Sequence, residues 1–144
     1  MSLNPENKCA QLLSNPVAEL ELGEQSLVKM FDMQKSLQER LGYDFDNLTM
    51  EQRVAHLKEN WIALSDEFSE TLERLPWKKW KKYTPEAKAD WTSEEQKVET
   101  QFEVIDMFHF MINMALLVGI DGETAWKMYA QKNAENFARQ DRGY

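Results

Sequence analysis

An all-α fold is predicted by three features of this sequence. Four segments carry apolar residues at the 3.6-residue period of a helix, helix-capping and helix-ending residues punctuate them, and no stretch of useful length alternates in the period-2 manner of a strand. The expected architecture is a helical bundle of four principal helices. A length of 144 residues with 42% hydrophobic content suits one soluble domain able to bury a core.

Residues 1–23 contain two Asn-Pro pairs, Asn4-Pro5 and Asn15-Pro16, and weak periodicity, and are read as an N-terminal arm preceding a domain over residues 24–144. The first helix is expected over Glu24 to Leu41, where Leu27, Met30, Phe31, Gln34, Leu37 and Leu41 share one side and Gly42 ends the run. Thr49 and Gln52 form a capping box for the second helix. Its stripe is Val54, Leu57, Trp61, Leu64, Phe68 and Leu72, and Pro76 stops it. An aromatic and basic connector, Trp77 to Tyr83, precedes a polar loop over Thr84 to Thr92. Ser93 and Gln96 can cap a third helix running to near Gly119, with Phe102, Ile105, Phe108, Ile112, Ala115 and Leu116 apolar. Asp121 starts a fourth helix reaching about Gln140, with Trp126, Tyr129 and Ala130 expected inward. Met107 to Leu117 is apolar on nearly all sides, which points to burial on both sides through dimerisation.

The net charge of −8 argues against nucleic acid and anionic membranes as partners, since both require a positive surface. A small phosphorylated substrate remains compatible where a metal inverts the local sign. Cys9 is the only cysteine, which excludes an internal disulfide and a cysteine-based metal site and suits a reducing, cytoplasmic setting. The most apolar run, Met111 to Ile120, contains Asn113 and is too short to span a bilayer. The N-terminus shows no signal-peptide pattern.

The chemistry is expected from two carboxylate pairs at the same spacing, Glu67 with Glu70 and Glu103 with Asp106. Residues three apart on a helix point the same way, so each pair offers two oxygen ligands from one face. Each pair borders an apolar stripe. Two such helices packed face to face gather four acids that resist burial unless a hard cation such as Mg²⁺ offsets them. Four carboxylates can hold two or more ions. A solvated acidic helix face is the competing reading, because 25 acidic residues make such spacings common; Glu70 and Glu73 form another. Lys132, Asn136 and Arg139 recur at i, i+4 and i+7 and offer phosphate donors from one face, or else belong to an ordinary polar helix. Gln34 interrupts an apolar face, either to satisfy a neighbour or to read the edge of a base. His109 lies one turn beyond Asp106, as a packed histidine or as a substrate-orienting one. Trp77 and Trp80 can stack on a base or pack beneath the loop.

Together these segments resemble the all-α nucleoside triphosphate pyrophosphatases, within them the dimeric dUTPase and MazG-like branch, and most nearly the tailed-phage dCTP/dUTP pyrophosphatases. The resemblance rests on MFDMQKSLQERL from Met30 to Leu41, DEFSE from Asp66 to Glu70, WKKW from Trp77 to Trp80, EVIDMFHF from Glu103 to Phe110, and YAQKNAENFARQDRGY from Tyr129 to Tyr144. It implies a helical homodimer that cleaves pyrimidine deoxynucleoside triphosphates to monophosphate and pyrophosphate with Mg²⁺, controlling nucleotide pools for phage DNA synthesis. It further implies that Glu67, Glu70, Glu103 and Asp106 ligate metal and that one of Glu67 and Glu70, by preference Glu70, handles the attacking water. Lys132, Asn136 and Arg139 would hold phosphates, Gln34 would contact the pyrimidine, and Trp80 and His109 would close the nucleoside pocket. Many dimeric dUTPases place an Asn three residues after the base-reading Gln. Here that position is Leu37, a departure that fits acceptance of cytosine. Two further readings stay open: a pyrophosphatase of broader or other base specificity, and a non-catalytic helical interaction module.

Overall fold

The structure, a computed structural model, describes residues 25–83 and 93–143. Among them are four helices and no strand: α1 Ser26–Arg40, α2 Met50–Glu73, α3 Glu94–Leu117 and α4 Gly122–Asp141. The expected arm over 1–23 and loop over 84–92 lie outside the described residues.

The helix ends follow from local chemistry. The amide N–H of Thr49 donates to Gln52 Oε1 (2.9 Å), and the amide of Gln52 donates to Thr49 Oγ1 (3.2 Å), a reciprocal box that satisfies two donors at the start of α2. Asp121 Oδ1 accepts from the amide of Thr124 (2.8 Å) at the start of α4. Gly42 and Gly119 close α1 and α3 at φ 98° and 80°, in the left-handed region that favours glycine. Each supplies the paired bonds of a Schellman stop: Gly42 to Glu39 with Tyr43 to Gln38, and Gly119 to Leu116 with Ile120 to Ala115.

The described chain forms two compact units. One comprises residues 25–58 and 112–143. Here α1 packs on α4. The large hydrophobics buried among the described residues, Phe31, Phe45, Ile112 and Leu117, all lie in this unit. Arg53 ties it together: Nη1 donates to the carbonyl of Leu117, at the C-terminus of α3, and Nη2 to that of Phe45, each at 2.8 Å. A cation there meets both the open carbonyls and the negative end of the helix dipole.

The other unit comprises Glu59–Met111. Its buried described side chains are polar: Asn60, Thr71, Thr100 and Glu103.

The apolar stripes are less covered than their periodicity suggests. Trp61 and Phe68 of α2 are 64% and 53% exposed. Trp126, Tyr129 and Ala130 do not turn inward; all three are exposed. Periodicity identifies a face that favours burial, but this single chain does not supply the atoms to cover it. No single described helix is long and apolar enough to cross a membrane.

Gly122 fixes how closely α1 and α4 approach. A Cβ at that position would stand 2.6 Å from Val28 Cα and 3.2 Å from its amide nitrogen. Those are backbone atoms, so no rotamer change relieves the clash. Gly122→Ala is therefore expected to cost about 1–3 kcal/mol as an overpacked contact. Urea titration should show a lower midpoint with an unchanged slope; a midpoint equal to that of the parent chain would refute this account of the α1–α4 contact.

Candidate functional site

Helices α2 and α3 bring three of the four expected acids together. Oxygen atoms from Glu67, Glu70 and Glu103 all lie within 4.8 Å of one another. Their spacing on the helices explains this: Glu67 and Glu70 stand on one side of α2, and Glu103 is a buried position of α3. Asp106 lies outside that tight group, one turn further along α3. It remains within electrostatic reach, because its charge is the strongest of the neighbouring carboxylates acting on Glu67.

The cluster is electrostatically strained. Burial, then the charges of Asp106, Glu70, Glu103 and Asp66, raise the Glu67 carboxyl above its ordinary value of 4.5. Loss of solvation raises Asp106 above its ordinary 3.8, and Glu103 adds to this, while His109 beside it pulls the other way. Asp106 is exposed as a residue.

Residues not singled out by sequence complete the arrangement. Arg74, one turn beyond Glu70, donates from Nε to Glu103 Oε1 at 2.6 Å, and its Nη2 forms an ion pair with the same oxygen, also at 2.6 Å. The same Nη2 lies 3.8 Å from Glu99 Oε2. The spacing Glu67, Glu70, Arg74 held the signal: all three fall on one stripe of a helix. Thr71, four residues after Glu67, buries a hydroxyl that has no hydrogen-bond partner among the described residues.

The donor set suits a hard divalent cation. It is all oxygen, mutually repelling and partly desolvated, with an orphan hydroxyl nearby. Magnesium holds its oxygen ligands at about 2.1 Å and hence roughly 3–4 Å from one another. The cluster's separations, up to 4.8 Å, lie close to that spacing.

The remaining expected residues divide by unit. Trp80 and His109 belong with the acids, in Glu59–Met111. Trp80 is 75% exposed and meets Trp77 edge to face at 5.7 Å, with Lys78 Nζ 5.2 Å from the Trp77 ring centre. His109 is exposed. Gln34, Lys132, Asn136 and Arg139 belong to the other unit. Gln34 is buried and its Nε2 donates to Oδ1 of buried Asn113 at 2.7 Å. Lys132 and Asn136 are exposed on α4, and Arg139 Nε donates to Glu135 Oε1 at 3.2 Å. Asn113 is a further residue to which the sequence assigned no role, though it stood out as the polar member of an apolar run.

The family model described as dUTPase matches residues 26–124, which span α1, α2, α3 and the start of α4. The chain belongs to the dUTPase family. It thereby has the all-α nucleoside triphosphate pyrophosphatase fold, and nucleoside triphosphate hydrolysis is its chemistry, which sets aside the reading as a non-catalytic module. Among curated relatives it is 36% identical over 167 residues to the dCTP pyrophosphatase of Enterobacteria phage T4, covering 96% of this chain and 98% of that one. It is 38% identical over 138 residues to the dCTP pyrophosphatase of Enterobacteria phage LZ5, with 80% of each chain covered. A DNA replication protein of phage T4 is 35% identical over 156 residues, covering 88% of this chain and 40% of that longer one. No solved structure gives a significant match.

The strained acids make stability depend on pH in a definite direction. A carboxyl raised in the folded state binds more protons than in the unfolded chain, so unfolding free energy falls as pH rises through the window between the ordinary and the raised value. With divalent cations chelated, the melting temperature should therefore fall as pH rises upward from about 4.5. Glu67→Gln should flatten that slope. Asp121, lowered by the Thr124 amide, acts oppositely and below its ordinary 3.8, outside the window. An identical slope in Glu67→Gln would show that Glu67 is not the strained group.

Proposed function

We propose that this protein hydrolyses the pyrimidine deoxynucleoside triphosphates dCTP and dUTP to monophosphate and pyrophosphate, with Mg²⁺, as a cytoplasmic homodimer that controls nucleotide pools for phage DNA synthesis. The observation carrying the proposal is the Glu67, Glu70 and Glu103 cluster on two helices of a chain in the dUTPase family. The resemblance to two phage dCTP pyrophosphatases over most of both chains supports cytosine as a base the enzyme accepts. Leu37, in place of a second base-reading amide, supports the same reading.

Glu67, Glu70, Glu103 and Asp106 are assigned as the metal-holding set. These carboxylates would hold magnesium, which would supply positive charge against that of the phosphates. Glu70, the exposed member of the cluster, is assigned to position the attacking water and take its proton. Electrostatic stabilisation and alignment supply most of the catalysis in phosphoryl transfer, so the chain's work is to hold these carboxylates in place. Lys132, Asn136 and Arg139 are assigned to phosphate oxygens: Lys132 as a point charge, Arg139 as a planar fork and Asn136 as a neutral donor. Gln34 is assigned to the pyrimidine, and Trp80 and His109 to the walls of the nucleoside pocket. Breadth of base choice is the alternative within the same chemistry, and a panel of deoxynucleoside triphosphates decides it.

A homodimer is supported by the apolar side chains that one chain leaves exposed, among them Trp61, Ile62, Phe68, Trp126, Tyr129 and Phe137, each more than half accessible. Sedimentation equilibrium should give a mass twice the 17.0 kDa of one chain; a monomer at micromolar concentration would contradict the assembly.

Pyrophosphate release from dCTP and dUTP, with Mg²⁺ and with chelator, tests the reaction. Glu70→Gln should lower turnover by about 10²–10⁴-fold, the usual contribution of a general base, while helix content by circular dichroism stays the same. Full Mg²⁺-dependent activity in that variant would remove Glu70 from the mechanism.

A further inference from the structure

We infer that Arg74 is a positioning residue for the metal centre: its guanidinium holds Glu103 by one carboxylate oxygen and so presents the other to the cation. The inference rests on the metal-centre reading proposed above and adds a residue to it. Arg74 Nε and Nη2 converge on the same atom, Glu103 Oε1, at 2.6 Å each. Oε2 takes no part in that fork and makes no hydrogen bond among the described residues. A carboxylate gripped at one oxygen by a planar guanidinium has its rotamer fixed. The Glu103 side chain is 11% exposed, so water does little of this work. Glu99 Oε2, 3.8 Å from Nη2 and one turn before Glu103, steadies the guanidinium from the same helix.

Charge reinforces geometry. Arg74 is ion-paired to the acid group at Glu103, and it offsets part of a repulsion that would otherwise drive Glu103 out of its buried position. It also lies on the Glu67, Glu70 stripe of the second helix, so a single side chain locks the two ligand-bearing helices at the required spacing. Partners that orient a ligand in this way commonly set metal affinity by 10- to 100-fold.

Mn²⁺ binding to the full-length protein, followed by the electron paramagnetic resonance of the free ion, tests this without reference to turnover. Arg74→Gln should weaken Mn²⁺ binding about 10- to 100-fold, and Arg74→Lys, which keeps the charge but loses the fork, by an intermediate factor. Glu103→Gln and Glu67→Gln are measured alongside. If the two Glu variants weaken binding and Arg74→Gln binds as tightly as the parent chain or tighter, the role of Arg74 is overturned while the metal centre stands. If neither Glu variant alters binding, the metal centre itself falls and this inference with it. A purely structural role would lower the melting temperature and leave the Mn²⁺ affinity of the folded protein unmoved. Should Arg74→Gln fail to fold, Arg74→Lys decides, with unchanged affinity counting against the proposal.

Discussion

Carboxylates held within 4.8 Å repel one another, and α2 and α3 keep Glu67, Glu70 and Glu103 at that separation. The repulsion is worth about 1 kcal/mol per pair in water and about 3–4 kcal/mol at the effective dielectric of a partly buried site. Two features offset it within the chain. The Arg74 fork balances one charge at the buried end, and Glu70 keeps access to solvent at the other. What is left over falls on Glu67, whose carboxyl is pushed upward mainly by lost solvation and then by its neighbours. A divalent cation held there as proposed would relieve that remainder, so the same feature that weakens the metal-free fold would strengthen ion binding. Stability given up at a site is commonly recovered as function in this way.

The helices themselves were legible because their ends are written in local chemistry. Thr49 with Gln52, Asp121 with Thr124, and the glycines at 42 and 119 act within a few residues of one another, so spacing along the chain suffices to find them. The Glu67, Glu70 and Glu103 grouping was legible for a related reason: the i, i+3 rule puts side chains on one face. That rule does not say which faces of two helices meet. Asp106 shares the spacing but not the tight cluster, and Arg74 could be linked to Glu103 only once α2 and α3 were placed, since 29 residues separate them. Asn113 likewise depends on a partner 79 residues away.

The apolar faces expose a different limit of sequence reasoning. A hydrophobic stripe reports that burial is favourable, not who provides it. Leu57, Leu64 and Leu72 of α2 are half-buried, whereas Val54, Trp61 and Phe68 of the same stripe stay exposed. Large aromatic side chains each remove on the order of 150–250 Å² from water when covered. Leaving Trp61, Phe68, Trp126 and Phe137 accessible therefore forgoes much of the stabilisation available to a chain this short. A second copy of the chain would recover it, and an isologous contact needs no further sequence information than these stripes already hold.

The two units bury polar groups by different physics. Gln34 and Asn113 are both only 4% exposed, but they are neutral amides, and a hydrogen bond between them at 2.7 Å lets them be buried without any counter-ion. Glu103, at 9% exposed, is a charge and needs Arg74. Neutral donors and acceptors distinguish bases, whose edges differ only in the placing of N–H and C=O groups. Cations and carboxylates act on phosphates, whose charge dominates everything nearby. If Gln34 meets the pyrimidine as proposed, the N–H it gives to Asn113 also settles which way its amide faces. Base choice would then be set by a neutral pair fixed before the substrate arrives, independently of the charged apparatus that performs the cleavage.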